Sequence, residues 1–522
     1  MNLSHTRHVE TRMSELLADA GLNPTRNRGV HWLIDHADPR HAQELLGLAA
    51  ELQRQGTPWH TYVPGKSSIG GSRHNVNVAM ALKVEAITYR MTRNASLRNA
   101  SHTRMRGLDA HCGQPTGLFI GDEEVPDQPT HSPVRGSELC SVVEAMYSHA
   151  VSFATFGDVG FLDRTERLAF NALPATWASK RGGDMWSHQY FQRTNQVDAL
   201  PTFNADGFKY DGHAHGVATG FACCTANFNQ GWPKFAQSIF YESPSDRGLV
   251  VGLLAPALAK LPDRLGGGGV VETITDYPFA DNVTVRVTVA RALPLYIRLP
   301  GWAHQASLDQ DGKSHSLSGL NGTLARVSLA AGDHTLTLQL RPAMRLERWA
   351  AGSVSVHRGG LMYSLPLEPN LLVRRTNWGI TDAAEFNATT SARWRYALVV
   401  DQERPDESLT YEQHRRLAPG QAPFNQTGGW PCSVRATVRL LPDDALYLGE
   451  GKSGSTRSVK TATTTETKFV EGAASSAAGR ARRQLLSPAC SGEHGLACGS
   501  PQSVQLVPHG ATILRIGMLP IA

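Results

Sequence analysis

The feature that most constrains this chain is a change of hydrophobic period near residue 241. Up to about Tyr241 the apolar residues recur at three-to-four spacing, as in Ala42 to Gln55, where Leu45, Leu46, Leu48 and Leu52 share one face. Asn77 to Met91, Glu138 to Phe156, Leu162 to Trp177 and about Trp232 to Phe240 continue the pattern, so this part reads as nearly all helix. Beyond Gly248 the chain turns to short β-rich runs such as NVTVRVTV, PLYIRLP, HTLTLQL, RYALVV and ATILRIGML, separated by Gly, Pro and Asp turns. Those runs predict sheets packed as sandwiches. With 522 residues the chain is too long for one core. The expected division is a helical domain over 1–242, a β-sandwich over 243–350, and a C-terminal β-sandwich over 351–522. A Gly-, Ser- and Thr-rich stretch near 449–483 reads as an insertion in the last of these.

Charge excludes some partners. Lys and Arg total 51 against 46 Asp and Glu, a net +5 too dilute for a nucleic-acid or acidic-lipid surface. The longest apolar segment, Gly248 to Ala259, is too short to cross a bilayer and holds Pro256, so no membrane partner is expected and the segment reads as a buried strand. Arg7, Glu10, Arg12 and Glu15 interrupt the stretch where a signal peptide needs apolar residues. As read, the chain is cytoplasmic, or extracellular if a leader precedes Met1.

Seven cysteines are too few and too scattered for a disulfide framework. The sharpest local feature is the adjacent pair Cys223 and Cys224. Alone, such a pair also fits two buried small hydrophobes, a strained vicinal disulfide or coincidence. Glu138 and Cys140 form a second element after Gly136, at the start of a long helix where Ser137 is the expected N-cap. Residues two apart diverge on a regular helix, so joint work by Glu138 and Cys140 requires an irregular helix entry. Together the four residues offer three thiolates and one carboxylate, a tetrahedral set that zinc accepts. The spacing is not that of a C-x-x-C zinc ribbon. His213 and His215 stand at i,i+2 spacing in DGHAHG and read as loop residues.

Longer stretches carry a resemblance. GQPTGLFIGDEE (Gly113 to Glu124), SELCSVVEAMYS (Ser137 to Ser148), DRTERLAFNALPATW (Asp163 to Trp177), DMWSHQYFQRTNQ (Asp184 to Gln196) and GFACCTANFNQGWPKFAQSIF (Gly220 to Phe240) resemble glycoside hydrolase family 127 and its β-L-arabinofuranosidase relatives. YIRLPGWA, GGLMYSLPLEP and QLVPHGATILRI resemble the β domains of the same family. The resemblance implies a partial (α/α) six-hairpin toroid followed by β-sandwich domains. It also implies a retaining glycosidase that acts on β-L-arabinofuranosyl or related linkages of an arabinose-containing glycan, through a zinc-bound cysteine thiolate and a thioglycosyl intermediate. By position, Cys223 would be the nucleophile, and Glu138, Cys140 and Cys224 would complete the zinc shell. The acid/base would be Glu123, with Asp122 selected by a one-residue shift. His74 falls where the family has a substrate-contacting histidine. His188 and Gln189, in an amide- and aromatic-rich helix or turn with Tyr190 and Phe191, suit sugar contact or an internal polar network.

The helical part has about six or seven recognisable helices, too few for six hairpins. The expectation is therefore a truncated gene product, a partial paralogue or a chain that completes its ring as a homo-oligomer. The alternative function is a non-catalytic carbohydrate-binding remnant that keeps the zinc ligands.

Overall fold

The computed structural model describes residues 24–64, 73–178, 187–202, 211–349, 352–377, 380–414, 423–424, 429–442, 490 and 497–522. The stretch expected as an insertion near 449–483 lies outside them. Among the described residues the helices are α1 (Pro24–His36), α2 (Ala42–Gln55), α3 (Asn75–Ala81), α4 (Val84–Thr92), α5 (Ser96–Cys112), α6 (Leu139–Phe156), α7 (Val159–Arg167) and α8 (Cys223–Ala236), with a single turn at Pro405–Ser408. The 42–55 helix falls on its expected bounds. The segment expected from Asn77 to Met91 is two helices, broken around Leu82 and Lys83.

Two expectations need correction. The first part is not nearly all helix: between α5 and α6, and between residues 177 and 222, the described chain forms turns and short strands. His188 and Gln189 lie in that extended region rather than in a helix or turn: His188 ends the strand Ser187–His188, which pairs with Trp177–Ala178, and Gln189 follows it. The last helix begins at Cys223, about nine residues before the apolar period suggested, because Cys224, Phe228, Gly231 and Phe235 form its buried face. Three- and four-residue steps separate those positions, and the polar Thr225, Asn227 and Gln230 between them hide the period. Gly231 lets α8 approach closely: a Cβ there would lie 2.9 Å from Leu173 Cδ2 and 3.4 Å from Val143 on α6.

The β part follows its alternation. Asn282–Val289 buries Val283, Val285, Val287 and Val289, and is flanked by Gly269–Ile274 and Gly332–Leu340 in a six-stranded sheet. A four-stranded sheet is built around Leu293–Leu299, which pairs antiparallel with Thr323–Leu329 and parallel with Leu249–Val251. The third sheet carries Leu361–Leu367, Cys432–Leu440 and Pro501–Pro508. Its strand Leu514–Ile516 pairs with both Leu361–Leu367 and Asn195–Gln196, joining the last sheet to the helical part.

Two buried arginines reinforce these junctions. Arg515 donates to the carbonyls of Arg193, Ala175 and Thr512. Arg298, in the middle sheets, is fully buried, pairs with Asp163 and Glu166 of α7, and donates to the Gly252 carbonyl at 2.5 Å. Glu166 also accepts from the Leu254 amide at 3.0 Å and Tyr277 Oη at 2.8 Å. Removing one partner of a buried pair leaves an uncompensated charge. Arg298→Met is therefore expected to cost about 3–5 kcal/mol of stability, read as a lowered midpoint in urea unfolding. An unchanged midpoint would show that the junction does not depend on this pair.

Candidate active site and metal centre

Two helix starts converge to make the site. The short strand Gly136–Glu138 pairs antiparallel with Phe191–Arg193, and α6 begins directly after it. The N-cap is Glu138, extended at φ -73°, ψ 137°, not the expected Ser137. Ser137 lies in the strand, and its hydroxyl donates to the Phe119 carbonyl at 3.3 Å. This strand-to-helix change is the irregular entry that lets Glu138 and Cys140 face one point. Cys223 and Cys224 open α8. Ligand atoms of Glu138, Cys140, Cys223 and Cys224 all lie within 4.8 Å of one another. Cys140 Sγ and Cys224 Sγ are 3.3 Å apart, and Cys224 Sγ is 3.7 Å from Glu138 Oε1. None of the four is in a disulfide; the bridge among the described residues joins Cys490 and Cys498, a pairing that sequence spacing did not reveal.

This donor set fits a zinc ion. Burial pushes the Glu138 carboxyl up to about 8, with Glu123 and Cys223 adding repulsion against the opposing pull of His74. Its Oε2 is buried with no hydrogen-bond partner. For a fully buried carboxylate among three thiols, His74 alone is little compensating charge, and a divalent cation with S/O ligands would supply more. Part of the compensation is already built in. The N-terminal ends of α6 and α8 carry partial positive charge and favour thiolates. Asn227, one turn after Cys223, donates from Nδ2 to Cys140 Sγ at 3.1 Å. Hydrogen bonds from Cys140 and Cys224 hold the Cys223 thiol well below the usual cysteine range.

The three acids at 122–124 have different surroundings. Asp122 is buried, paired with Arg135, and accepts from the Gly136 amide at 2.5 Å. Glu124 pairs with Arg73 at 2.5 Å. Glu123 has a left-handed backbone at φ 91°. Its Oε2 accepts from Tyr190 Oη at 3.1 Å, and its Oε1 lies 3.7 Å from His74 Nε2. A non-glycine residue in that region is strained and held by its surroundings. Here the hold is the Asn75 amide on the Glu123 carbonyl at 3.0 Å and the Val125 amide on the Arg73 carbonyl at 2.9 Å. Asn75 also fastens the acid loop to α6, donating to the Gly121 carbonyl and accepting from Ser141 Oγ, each at 2.6 Å.

Tyr190 joins the two halves of the site. Its backbone carbonyl accepts from the Leu139 amide at 3.0 Å, and its hydroxyl reaches Glu123 and lies 3.7 Å from Cys223 Sγ. Burial and the neighbouring negative groups push the phenol far up, so it stays a donor. The His74 imidazole is raised: burial, the largest influence, opposes the charged form, but the bond to Glu123 and the charges of Glu138, Glu123 and Cys223 outweigh it.

His188 and Gln189 are fully buried behind the cysteines. His188 bonds Thr225 Oγ1 on α8 at 3.2 Å, and burial lowers it to about 4. Gln189 donates to the His213 carbonyl at 2.6 Å and pairs with the Gln196 amide at 3.2 Å. His213 and His215 are buried and held neutral by burial, with His215 stacked on Phe386 at 4.9 Å between centroids. They lie in a loop, as expected, and that loop is packed into the wall behind the cysteines. Sequence reasoning missed Tyr190 and Asn227 as site residues. A helix begun at Cys223 would have put Asn227 four residues on, over the cysteine.

Residues 264–342 match the family model described as the beta-L-arabinofuranosidase GH127 middle domain. A solved glycoside hydrolase aligns with 94% of this chain and 74% of its own, at 14% identity and TM-score 0.63. The GH127 beta-L-arabinofuranosidase from Geobacillus stearothermophilus T6 aligns with 95% and 72%, at 14% identity and TM-score 0.59. A GH127 beta-arabinofuranosidase aligns with 94% and 67%, at 13% identity and TM-score 0.60. No curated protein matches the chain by sequence. These likenesses support the expected architecture, a helical toroid-type domain followed by β domains.

Outer-shell hydrogen bonds to metal ligands typically change affinity 10- to 100-fold when removed. Asn227→Ala is expected to weaken zinc binding by about that factor in chelator competition, with unchanged circular dichroism. Wild-type affinity in the variant would show that the Asn227 bond does not tune the centre.

Proposed function

We propose that the chain is a retaining exo-glycosidase that releases a β-L-arabinofuranosyl or related sugar from a glycan, with Cys223 as nucleophile and Glu123 as acid and base. One observation carries this reading: a half-buried thiol and a carboxylate meet across a single hydroxyl, Tyr190 Oη, at 3.7 and 3.1 Å. Retaining glycosidases need such a nucleophile and proton donor flanking one bond. Asp122 is consumed by Arg135 and the Gly136 amide, which favours Glu123 as the acid.

In the first half-reaction Glu123 protonates the leaving oxygen as Cys223 Sγ attacks the anomeric carbon, so the C–O bond breaks and a C–S bond forms. In the second, Glu123 takes a proton from water, the water oxygen attacks the same carbon, and the Cys223 thiolate departs. Two inversions give retention. Glu138, Cys140, Cys223 and Cys224 would hold a zinc ion, which would supply the charge that keeps the Cys223 thiol ionised at neutral pH. Tyr190 orients the Glu123 carboxylate. His74, with its side chain 36% exposed beside Glu123, is the proposed sugar contact. His188 and Gln189 are proposed to shape the sugar pocket from behind, through Thr225 and the 213 backbone.

Zinc-loaded protein is expected to hydrolyse an aryl β-L-arabinofuranoside with retained anomeric configuration, read by proton NMR. Cys223→Ala and Glu123→Gln are each expected to lower kcat at least about 100-fold, the scale of losing a nucleophile or proton donor. Folded, zinc-loaded wild-type protein that binds these sugars without turnover would replace this reading with a carbohydrate-binding remnant.

A further inference from the structure

Glu123 has an acidic neighbour on each side, and each neighbour is held by an arginine: Asp122 by Arg135 and Glu124 by Arg73. The Arg73 grip reaches beyond one carboxylate. Its Nη2 donates to Glu124 Oε2 at 2.5 Å and its Nη1 pairs with Asp127, so one guanidinium fastens both ends of the turn that follows Glu123. A planar fork suits such double engagement, which the point charge of a lysine does not match. The segment that carries Arg73 also runs beside the acid loop. The Val125 amide donates to the Arg73 carbonyl at 2.9 Å, the Asn75 amide donates to the Glu123 carbonyl at 3.0 Å, and His74 stands opposite Glu124 in an antiparallel bridge.

Residues directly opposite on an antiparallel ladder share a face, so a regular ladder would set the Glu124 carboxylate beside His74. The side chains do the reverse. Glu123 Oε1 lies 3.7 Å from His74 Nε2, and Glu124 is turned to Arg73. The exchange falls at Glu123, whose φ of 91° is left-handed, a conformation that a glutamate keeps only where its surroundings impose it. Ion pairs as exposed as those of Arg73 contribute little to global stability: its side chain is 29% exposed, and that of Asp127 is 68% exposed. Their effect is on the loop that they fasten.

We propose that Arg73 is a positioning residue for the proton transfer: by holding Glu124 and Asp127 it maintains the left-handed backbone of Glu123, so that this carboxyl, and not its neighbour, meets the leaving oxygen. This rests on the acid role given to Glu123 above. The test compares kcat/KM on 4-nitrophenyl and methyl β-L-arabinofuranosides, using the zinc-loaded full chain. Nitrophenolate departs without a proton and methoxide needs one, so the nitrophenyl-to-methyl ratio reads proton donation. Glu123→Gln is expected to raise that ratio at least about 100-fold, the scale of a lost general acid. Arg73→Met is expected to raise it at least about 10-fold, the part lost when a proton donor is misplaced and not removed, with an unchanged urea midpoint. Glu124→Ala combined with Asp127→Ala removes the other half of the grip and is expected to raise the ratio by the same factor, with no further rise when Arg73→Met is added. That pair carries the test if Arg73→Met does not fold. An unchanged ratio in these variants, whether or not both rates fall, would overturn the proposal while Glu123→Gln still raises it. No turnover of either substrate by the wild type, or an unchanged ratio in Glu123→Gln, would instead be the failure of the function above, and the proposal would fall with it.

Discussion

The structure depends on the convergence of two helix starts on one buried, acidic point. Cys140 enters at the first turn of one helix, Cys223 and Cys224 open the other, and Glu138 caps the first with its backbone while its carboxylate stays in the cluster. Four potential anions within 4.8 Å repel one another in a low-dielectric interior. They are kept together by the raised proton affinity of Glu138, Cys140 and Cys224, by a cation where one is bound, by helix dipoles and by donors such as Asn227. That requirement explains why the surroundings are tightly specified: Gly231 for close helix approach, Gly220 against Tyr190, and Asn75 tying the acid loop to the first of these helices.

The β domains contribute by holding this arrangement from outside. The C-terminal strand Leu514–Ile516 pairs with Asn195–Gln196, and Asn195 Oδ1 accepts from the Gly517 and Met518 amides at 2.9 and 2.8 Å. Asn195 follows closely on the strand Phe191–Arg193, which pairs with the segment ending in Glu138. The last sheet is thus linked by backbone pairing to Glu138 of the cysteine cluster, more than 370 residues earlier in the chain. The Phe386 contact on His215 adds a second tie from the C-terminal part to the wall behind the cysteines.

Much of this was legible in residue order. The helix at Ala42–Gln55, the alternating strand at Asn282–Val289 and the grouping of Glu138, Cys140, Cys223 and Cys224 all follow from local pattern and donor chemistry. Other features were hidden for identifiable reasons. The start of the last helix was obscured by polar residues between its buried positions, and so was the place of Asn227. The burial of the His213 and His215 loop was hidden because nothing local shows that Phe386, distant in the chain, packs on His215.

The sequence by itself determined which groups could do chemistry, because thiols and carboxylates are fixed by residue type, and it determined where helix gives way to sheet, because period is local. Tertiary structure alone gave the three adjacent acids different surroundings. Asp122 and Glu124 are taken by Arg135 and Arg73, and Glu123 is turned by its left-handed backbone toward Tyr190. It also decided that Tyr190, set among amides and aromatics in sequence, is the hydroxyl between acid and thiol. Both outcomes depend on contacts between segments far apart in the chain, which local periodicity does not encode.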